Sequence, residues 1–460
     1  MLTRGIRSYH RPTRLEDAFD LAARGVVPLA GGTRLLASPQ ELPNILDLSG
    51  LGIDGIAVDD GDLVLGAAVP LQDVIDSKAA YEISAGLLPA ACRVFSPSRM
   101  LRNMATIGGE SVQASPDSEV AAALLALNAV YTVSRRDETL EVPAIRFLKR
   151  AVEDLEGGGI VVSVLIPGAP DGAALERAAL PGSRPSLITV AVTLAFAGPT
   201  CARARIAVTG LEGPPLRVIE AEHAIEGTTV EPANVETMVK LIRERPQYRS
   251  DGRATAQYRG HVAATLAARA LERAVDDARN PGGLAIPRLR VSPSQRATVA
   301  VPYFTSGKID VTLNGHTRRL EADARTTLLE LVRRERLWGA KHGCETGECG
   351  ACAVLLDGRP VNGCLTLALR AHGRNVTTIE GLGTPDKLHP VQAAFLEAGA
   401  VQCGYCTPAM ELCAKALLDA VPRPTEDEAR DALAGCLCRC SGYARPVKAV
   451  LEASSLDGTR

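Results

Sequence analysis

Aromatic residues are scarce in this sequence: they make up 3% of its 460 residues, with a single tryptophan. Hydrophobic residues still account for 46% of the chain, so we expect cores built mainly from aliphatic side chains. Neither sign of charge is in clear excess, since the sequence has 51 Lys and Arg residues and 53 Asp and Glu residues. This balance argues against a nucleic-acid or anionic-membrane partner. At roughly 150 residues per domain, the length predicts about three domains.

Targeting and membrane-spanning segments are also missing from the sequence. Residues 1–7 lack the apolar stretch that a signal peptide carries. The longest apolar run, residues 120–133, is interrupted by Asn128 and is too short to cross a bilayer. The sequence therefore predicts a soluble, cytoplasmic protein with no membrane span.

Cysteine is almost absent from the first three quarters of the chain and abundant in the last. Only Cys92 and Cys201 precede residue 340, and the rest of the twelve cysteines lie between residues 344 and 440. Thiols stay reduced in the cytoplasm, so we expect metal ligands here rather than disulfides. The clustering predicts metal chemistry confined to the C-terminal quarter.

A Pro- and Gly-rich stretch, residues 276–306, divides the Cys-poor half from the Cys-rich half. It contains Arg279-Asn280-Pro281-Gly282-Gly283 and three later prolines, which exclude a long helix or a central strand. Before it, apolar runs at 63–69, 130–133, 160–166 and 187–196 predict strands, and 120–127 and 254–275 predict helices. This mixed α+β pattern predicts two subdomains that part near residue 170.

The segment after the linker predicts a small β-grasp-like module. Ile309, Val311 and Leu313 alternate and lead into Asn314-Gly315, a strong hairpin signal. A helix is predicted over 326–337. A strand follows over 353–356 and ends in the turn Asp357-Gly358.

Beyond about residue 385 the signals are those of a helical module. Thr407 is predicted to cap a helix whose first position is Pro408. Thr425 and Glu428 are spaced as a capping box, and Gly435 stands where a glycine commonly follows a helix end.

The first cysteine set has the plant-type [2Fe–2S] spacing, C-x4-C-x2-C with a distant fourth cysteine. Its members are Cys344, Cys349, Cys352 and Cys364. Three thiolates on one loop can surround a two-iron cluster if the backbone wraps it and donates N–H groups. The freedom for wrapping comes from Gly343, Gly347 and Gly350. Structural zinc prefers two C-x2-C pairs, and only one is present here.

The second cysteine set consists of a C-x2-C pair, Cys403 and Cys406, and a C-x-C pair, Cys438 and Cys440. Two such pairs beside helices can meet at one end of a bundle and hold an iron–sulfur cluster or zinc. Cys436 offers a further thiol for the second pair. Spacing alone leaves both metals open.

Residues 308–443 resemble the iron–sulfur subunit of the xanthine dehydrogenase and aerobic carbon monoxide dehydrogenase family, the molybdenum hydroxylases. The matching segments are Lys341-His342-Gly343-Cys344, Gly350-Ala351-Cys352, Val401-Gln402-Cys403-Gly404-Tyr405-Cys406-Thr407-Pro408 and Leu437-Cys438-Arg439-Cys440-Ser441-Gly442-Tyr443. The resemblance implies that the second set holds another [2Fe–2S] cluster, in a four-helix domain nearer the molybdenum. It also implies that Gln402 reaches toward the pterin. The sequence departs from the family at Cys436, usually Asn, and at Ala409, commonly Gly.

Two glycine-rich segments stand out in the first half: Ala30-Gly31-Gly32-Thr33 and Ala105-Thr106-Ile107-Gly108-Gly109. Glycines let backbone N–H groups approach a diphosphate closely, and a neighbouring Thr hydroxyl adds a donor. Alone, each segment is more often a tight turn than a phosphate site. Neither is the G-x-G-x-x-G fingerprint, so a Rossmann fold is not predicted.

The same half resembles the FAD-binding subunit of that family. The matching segments are Leu65-Gly66-Ala67, Arg102-Asn103-Met104-Ala105-Thr106-Ile107-Gly108-Gly109, Ala114-Ser115-Pro116, Ala202-Arg203-Ala204-Arg205-Ile206-Ala207, and Asp251, Arg253, Tyr258 and Arg259. The FAD contacts that this implies are Leu29, Ala30, Gly31, Gly32, Thr33, Arg34, Leu35, Thr106, Ile107, Gly108, Gly109, Glu110, Glu119, Val162 and Arg177. Arg34 stands where an acidic residue is frequent, and it either pairs with the diphosphate or faces solvent. Glu110 and Glu119 replace the usual Asn and Asp, and we expect Glu110 to turn away from the diphosphate.

The two resemblances predict an α+β protein with five successive regions. They are a PCMH-type FAD-binding domain (1–170), a flavoprotein C-terminal α+β subdomain (171–276), a linker (277–306), a plant-type [2Fe–2S] ferredoxin domain (307–384) and a helical [2Fe–2S]-binding domain (385–460). The flavin half thus precedes the iron–sulfur half in one chain.

No stretch is left for the molybdenum–pterin domain in which this family hydroxylates its substrates. The sequence also has no H-E-x-x-H and no P-loop, and its seven histidines are scattered. The resemblance therefore implies an oxidoreductase subunit that carries FAD and two [2Fe–2S] clusters. It would pass electrons from a large molybdopterin-binding catalytic subunit, in a heterodimer or a dimer of heterodimers, to NAD+ or another acceptor. Two alternatives stay open: a free-standing NAD(P)H-dependent flavin reductase and a zinc-stabilised binding module.

Overall fold

The computed structural model describes residues 5–38, 41–180, 185–280, 299–440 and 442–456. The strands are β1 (Ser8–Arg11), β2 (Val27–Leu29), β3 (Asn44–Asp47), β4 (Ile56–Asp59), β5 (Asp62–Gly66), β6 (Val130–Ser134), β7 (Thr139–Pro143), β8 (Ile160–Ile166), β9 (Gly172–Ala178), β10 (Ile188–Ala197), β11 (Thr200–Val208), β12 (Leu216–Arg217), β13 (Val301–Phe304), β14 (Ser306–Leu313), β15 (His316–Asp323), β16 (Ala353–Leu356), β17 (Arg359–Asn362) and β18 (Asn375–Thr377). The helices are α1 (Leu15–Ala23), α2 (Leu71–Asp76), α3 (Lys78–Ile83), α4 (Leu87–Phe95), α5 (Arg99–Met104), α6 (Ile107–Gln113), α7 (Glu119–Ala126), α8 (Ala144–Asp154), α9 (Ile219–His223), α10 (Pro232–Glu244), α11 (Ala256–Arg279), α12 (Leu328–Arg334), α13 (Pro390–Glu397), α14 (Thr407–Ala420), α15 (Glu426–Leu433) and α16 (Ala444–Leu456). Most of the predicted linker, 281–298, lies outside the described residues.

The chain forms two compact units whose membership does not follow chain order. The first unit combines Met1–Gly52, Pro97–Ala105 and Pro287–Arg460, and the second combines Ile53–Ser96 and Thr106–Ile286. The first unit therefore joins two pieces of the predicted flavin half to every cysteine of the C-terminal quarter.

A four-stranded sheet in the first unit brings the N-terminus together with residues after the linker. Its order is β13-β1-β3-β2, with β1 parallel to β3 and antiparallel to β13. Tyr9 pairs with Phe304, and Arg11 pairs with Val301. The linker prediction excluded a central strand, and β13 is an edge strand, which accommodates Pro302.

The ferredoxin module contains a five-stranded sheet of order β15-β14-β18-β16-β17. The predicted Asn-Gly hairpin joins β14 and β15, with φ of 49° at Asn314 and 81° at Gly315, as a type I′ turn requires. Asp357 and Gly358 turn in the same way between β16 and β17. Helix α12 is shorter than the predicted 326–337, because Thr327 caps it in a capping box.

Apolar residues from three separate stretches of the first unit share one core. Leu29, Ile45 and Leu101 belong to the same buried cluster as Ile309 and Leu365 of the ferredoxin module. The segment around Leu29 is therefore packed against the ferredoxin module.

The helical module consists of α13–α16 around its own apolar core, as predicted. Helix α14 begins one residue earlier than predicted, since Cys406 rather than Thr407 occupies the N-cap. The Thr425 and Glu428 capping box is present. Gly435 follows the end of α15, and close packing explains the glycine: a Cβ there would lie 3.0 Å from Ser98 Cα.

The second unit holds two antiparallel sheets, of orders β4-β5-β8-β6-β7 and β12-β11-β10-β9. Helix α11 supplies much of the apolar surface that covers β10 and β11. Strand β8 has the predicted bounds, and the other predicted strands and helices of this half are present with shifted ends. The α+β class is thus confirmed. Over the described ranges, no helix combines the length and apolar character needed to cross a membrane.

Candidate functional site

The loop between α12 and β16 is organised around the sulfur of Cys344. Backbone N–H groups of Thr346, Glu348 and Cys349 donate to Cys344 Sγ at 3.4, 3.2 and 3.3 Å. The N–H of Cys344 in turn lies 3.5 Å from Cys349 Sγ. Donors aimed at sulfur stabilise thiolates, so this loop is suited to bind metal through its cysteines.

Glycines permit this wrapping, as the sequence predicted. Gly347 and Gly350 have φ of 81° and 70°, in the left-handed region that glycine adopts at little cost. At Gly343 a Cβ would lie 2.7 Å from Cys349 Sγ. A side chain at any of the three positions would strain or displace the loop.

The four thiols of the first set are arranged as two pairs. Cys344 faces Cys349, and Cys352 faces Cys364, which lies on a short 3₁₀ turn after β17. The hydrogen bond between the thiols lowers the pKa of Cys344 to about 4 and lowers that of Cys352. The same bonds raise the pKa of Cys349 and of Cys364, because each pair shares a proton.

The second set also forms two pairs, at the start of α14. Cys403 faces Cys440, and Cys406 faces Cys438. Burial, followed by contact with Cys438, raises the pKa of Cys406 to about 12. The segment before α14 and the segment after α15 thus each contribute two thiols.

Cys436 belongs to neither set. It is fully buried, and its Sγ lies 3.8 Å from Sγ of Cys413, on α14. The spare thiol that complicated the sequence motif is therefore directed into the core of the helical module.

This pairwise grouping bears on the choice of metal. Within the described part of the chain, no three His, Cys, Asp or Glu side chains are grouped closely enough to hold one ion. A [2Fe–2S] cluster presents two irons, each of which takes two thiolates. Two pairs of thiols in each set match the two irons of such a cluster.

The first glycine-rich segment lies in the first unit, directly after β2. Gly32 has φ of 76°, and at Gly31 a Cβ would lie 2.9 Å from Ala105 Cα. Among the described residues, the N–H groups of Ala30, Gly31 and Gly32 have no hydrogen-bond partner. Three successive unpaired amides on a loop of small residues are suited to an anionic group such as a diphosphate.

The second glycine-rich segment, in the second unit, is used differently. Thr106 caps α6 by accepting from the N–H of Gly109 at 3.1 Å. The N–H groups of Ile107 and Gly108 donate to Val69 and Ala67 carbonyls at 3.0 and 2.9 Å. These amides are therefore engaged within the protein, unlike those of the first segment.

The remaining predicted flavin residues of the second unit fall into two groups. The carbonyl of Val162 accepts from the N–H of Ala67 at 3.0 Å, which places it beside the second glycine-rich segment. Glu119, the first residue of α7, is buried and accepts from the Ser186 hydroxyl at 2.7 Å. Burial raises the pKa of Glu119, although Ser186 and Arg177 oppose the change. Arg177 also donates to Ser186, at 3.4 Å, and no sequence signal pointed to this serine.

Comparison with known proteins supplies the family. Four family profiles match: "FAD binding domain in molybdopterin dehydrogenase" at residues 4–169, "CO dehydrogenase flavoprotein C-terminal domain" at 177–274, "2Fe-2S iron-sulfur cluster binding domain" at 311–373 and "[2Fe-2S] binding domain" at 378–451. The nicotine 6-hydroxylase small subunit of Paenarthrobacter nicotinovorans is 46% identical over 154 residues, which cover 33% of this chain and 93% of that protein. The chain belongs to the molybdenum hydroxylase family.

Further relatives agree with this placement. The aldehyde oxidoreductase iron-sulfur-binding subunit of Escherichia coli K12 is 41% identical over 184 residues, covering 36% of this chain and 80% of that protein. A reconstituted CO dehydrogenase from Oligotropha carboxidovorans is 27% identical with a TM-score of 0.54, covering 58% of this chain and 96% of that chain.

This molybdenum hydroxylase family member is thus an oxidoreductase component for electron transfer, with FAD-binding and two [2Fe–2S] domains in one chain. The predicted family and cofactors are confirmed. The zinc alternative for the second cysteine set is wrong, because the profile at 378–451 is that of a [2Fe-2S] domain.

Proposed function

We propose that this chain takes electrons from a large molybdopterin-binding catalytic subunit and delivers them to FAD, from which NAD+ or another acceptor removes them. Electrons arrive at the helical module, pass to the ferredoxin module and leave from the flavin half. The bound cofactors supply the redox chemistry, while the protein positions them and sets their surroundings. We place the complex in the cytoplasm, as a heterodimer or a dimer of heterodimers.

The proposed cluster ligands are Cys344, Cys349, Cys352 and Cys364 in one set and Cys403, Cys406, Cys438 and Cys440 in the other. Their pairwise arrangement and the N–H groups directed at Cys344 Sγ support this assignment. The proposed FAD contacts remain residues 29–35 and 106–110 together with Glu119, Val162 and Arg177. The unpaired amides that follow Leu29 favour the first of these segments for the diphosphate.

One backbone hydrogen bond carries the proposed order of transfer. The N–H of Leu437 donates to the carbonyl oxygen of Cys349 at 2.9 Å. Cys349 belongs to the first set, and Leu437 directly precedes Cys438 of the second. The two sets are therefore joined by a short run of covalent bonds and one hydrogen bond. The loops also pack closely, since a Cβ on Gly350 would lie 2.9 Å from the carbonyl carbon of Gly435.

The solvent exposure of the cysteines supports the proposed direction of electron transfer, from the helical module to the ferredoxin module. Cys403 and Cys440 are exposed, whereas Cys352 and Cys364 are buried. Leu437 is 57% exposed, which puts an apolar side chain at the surface beside the second set. An exposed apolar residue among exposed thiols suits a surface that a partner covers. We therefore propose that the catalytic subunit docks on the helical module, with the exposed Gln402 near its pterin.

The role of the hydrogen bond between Leu437 and Cys349 in electron transfer can be tested by removing its donor, the N–H of Leu437. Leu437→Pro deletes the N–H, whereas Leu437→Ala keeps it and removes a similar amount of exposed side chain. In the complex reconstituted with the catalytic subunit, we expect the proline variant to delay the ferredoxin-set EPR signal after substrate reduces the helical set. The alanine variant should resemble wild type. Equal rates in all three proteins would remove this bond from the path.

Measurements on the isolated chain separate the proposal from its alternative. We expect a brown protein with about four irons and one FAD per chain and two distinct [2Fe–2S] EPR signals. Rapid NADH turnover by the chain alone would favour a free-standing NAD(P)H-dependent flavin reductase. Hydroxylation of a substrate by the chain alone would overturn the assignment.

A further inference from the structure

Arg370 lies between the ferredoxin module and the first glycine-rich segment. It belongs to a 3₁₀ turn, Ala368–Ala371, six residues beyond Cys364. Its guanidinium donates to both carboxylate oxygens of Asp47, at 2.8 and 2.9 Å. It also donates to the backbone carbonyls of Leu29 at 3.3 Å, Gly31 at 3.4 Å and, at closer range, Ala30. One side chain of the ferredoxin module thus binds three successive peptides of the proposed flavin loop.

The surroundings of this arginine fix it in place. Asp47 is fully buried, and the hydroxyl of the equally buried Tyr9 donates to its Oδ2 at 2.5 Å. The N–H of Ser49 donates to Oδ1 at 2.9 Å, so both carboxylate oxygens have several donors. Burial alone would raise the pKa of Asp47, but the Arg370 guanidinium and the Tyr9 hydroxyl hold it below its ordinary value. A buried ion pair with every partner satisfied is rigid, and losing one member leaves an uncompensated charge.

The geometry of the peptide bond links this contact to the flavin. In a planar trans peptide, the N–H points opposite to the C=O of the preceding residue. Because the carbonyls of Leu29, Ala30 and Gly31 point toward Arg370, the N–H groups of Ala30, Gly31 and Gly32 point away from it. These are the amides that have no partner among the described residues. The guanidinium therefore orients the amides that are suited to a diphosphate.

We propose that Arg370, held by Asp47, is a positioning residue that shapes the diphosphate loop, so that tight FAD binding depends on the folded ferredoxin module. The inference rests on the proposed FAD contact of residues 29–35. The contacts that support this role are the bonds from Arg370 to the loop carbonyls, so it acts through the loop backbone.

The test compares Arg370→Met with Arg370→Lys and with a control, Arg374→Met. Arg374 also forms a half-buried ion pair, with Asp357 at 2.6 Å within the ferredoxin module, and its bond to Arg370, at 3.4 Å, reaches only the backbone carbonyl and not the guanidinium. Each protein is purified whole. Bound FAD, the FAD dissociation constant from flavin fluorescence, bound iron and the EPR spectra of both clusters are then measured.

We expect Arg370→Met to weaken FAD binding at least about tenfold, comparable to losing one hydrogen bond to a charged group, while iron and both EPR signals stay at the wild-type level. Arg370→Lys should recover part of the affinity, because an ammonium still neutralises Asp47 although it lacks the planar fork. Arg374→Met should bind FAD like wild type.

Wild-type FAD affinity in Arg370→Met would overturn the proposal, as would joint loss of iron and FAD, which would make Arg370 merely a structural residue of the ferredoxin module. If Arg370→Met does not fold, Arg370→Lys decides: wild-type affinity together with intact clusters would also overturn the proposal. Failure of the proposed function is distinguishable, because the wild-type chain itself would then lack FAD or iron.

Discussion

Replacing Gly31 by alanine should weaken FAD binding by a predictable amount. A Cβ at this position would stand 2.9 Å from Ala105 Cα and closer still to the Met104 carbonyl oxygen. Carbon atoms pack at about 3.5–4.0 Å, so the loop must move by roughly 1 Å. The hydrogen bond from Arg370 to the carbonyl of Gly31 resists this movement. Overpacking of this kind costs about 1–3 kcal/mol. If the displacement falls on the FAD-bound loop, the dissociation constant rises roughly 5- to 150-fold.

The assay is titration of the flavin-free protein with FAD, followed by fluorescence, with bound iron measured in parallel. The control is Gly213→Ala, because a Cβ there meets nothing within 4 Å. It should bind FAD like wild type. Gly32→Val adds a second comparison: at φ of 76° a β-branched residue is strained, and we expect this variant to lose FAD while keeping its iron. A Gly31→Ala protein with wild-type affinity would refute the packing argument, and a Gly32→Val protein with full flavin would refute our placement of the diphosphate loop.

Three further predictions concern the clusters, the partner and the second unit. Cys349→Ser should halve the bound iron and spare the EPR signal of the helical set, and loss of both signals from a folded variant would contradict independent sites. Gln402→Leu should retain FAD and both clusters yet slow substrate-driven flavin reduction in the reconstituted complex, because an amide can both donate to and accept from a pterin edge; an unchanged rate would exclude Gln402 from the path. Arg259→Met should lower the free energy of unfolding by about 1.5 kcal/mol at pH 7, as for one hydrogen bond to a charged group, since the fully buried Arg259 binds both oxygens of the exposed Asp251 at 2.8 Å. Although burial opposes the shift, hydrogen bonds from Arg253 and Arg259 hold the pKa of Asp251 well below its ordinary value. The contribution of the Arg259–Asp251 pair to the free energy of unfolding is therefore complete above about pH 4 and is lost as the pH falls further. Urea unfolding at pH 7 and at pH 3 should show a smaller difference between Arg259→Met and wild type at the lower pH.

Local signals in the sequence predicted the parts of the site that local structure determines. Cys344, Cys349 and Cys352 could be grouped from their spacing, because one loop brings these three thiols together, whereas Cys364 and the two pairs of the second set are brought together by the fold. The Asn314-Gly315 dipeptide predicted its hairpin, because the turn requires φ above zero at both residues. The sequence could not predict that Cys436 points into the core, since its side chain is directed by the packing of α14 and α15 rather than by its neighbours in the motif.

Long-range contacts account for what the sequence could not predict. Arg370 and Asp47 are 323 residues apart, and neither lies in a motif or a periodic pattern that marks it. The division into units shares this origin: Leu101 packs with Leu365 because α5 lies against β17, and no linker signal separates α5 from its sequence neighbours. The sequence also could not predict which loop amides lack a hydrogen-bond partner. The two glycine-rich segments are similar in sequence but differ in whether their N–H groups are already bonded within the protein.

The pairing of β13 with β1 has a consequence for how the chain could be divided. Since β13 is the edge strand of a sheet whose other members come from residues 8–47, a cut within 281–298 would leave the two polypeptides sharing that sheet. The Cys-bearing polypeptide would then complement the other in trans by donating a strand, with backbone hydrogen bonds supplying recognition. His10 would strengthen this strand exchange through its bond to the Pro302 carbonyl at 2.9 Å and its ring contact with Tyr303. The linker thus lies next to a strand pairing that could hold the two polypeptides together, and covalent continuity raises the effective concentration of the two paired strands.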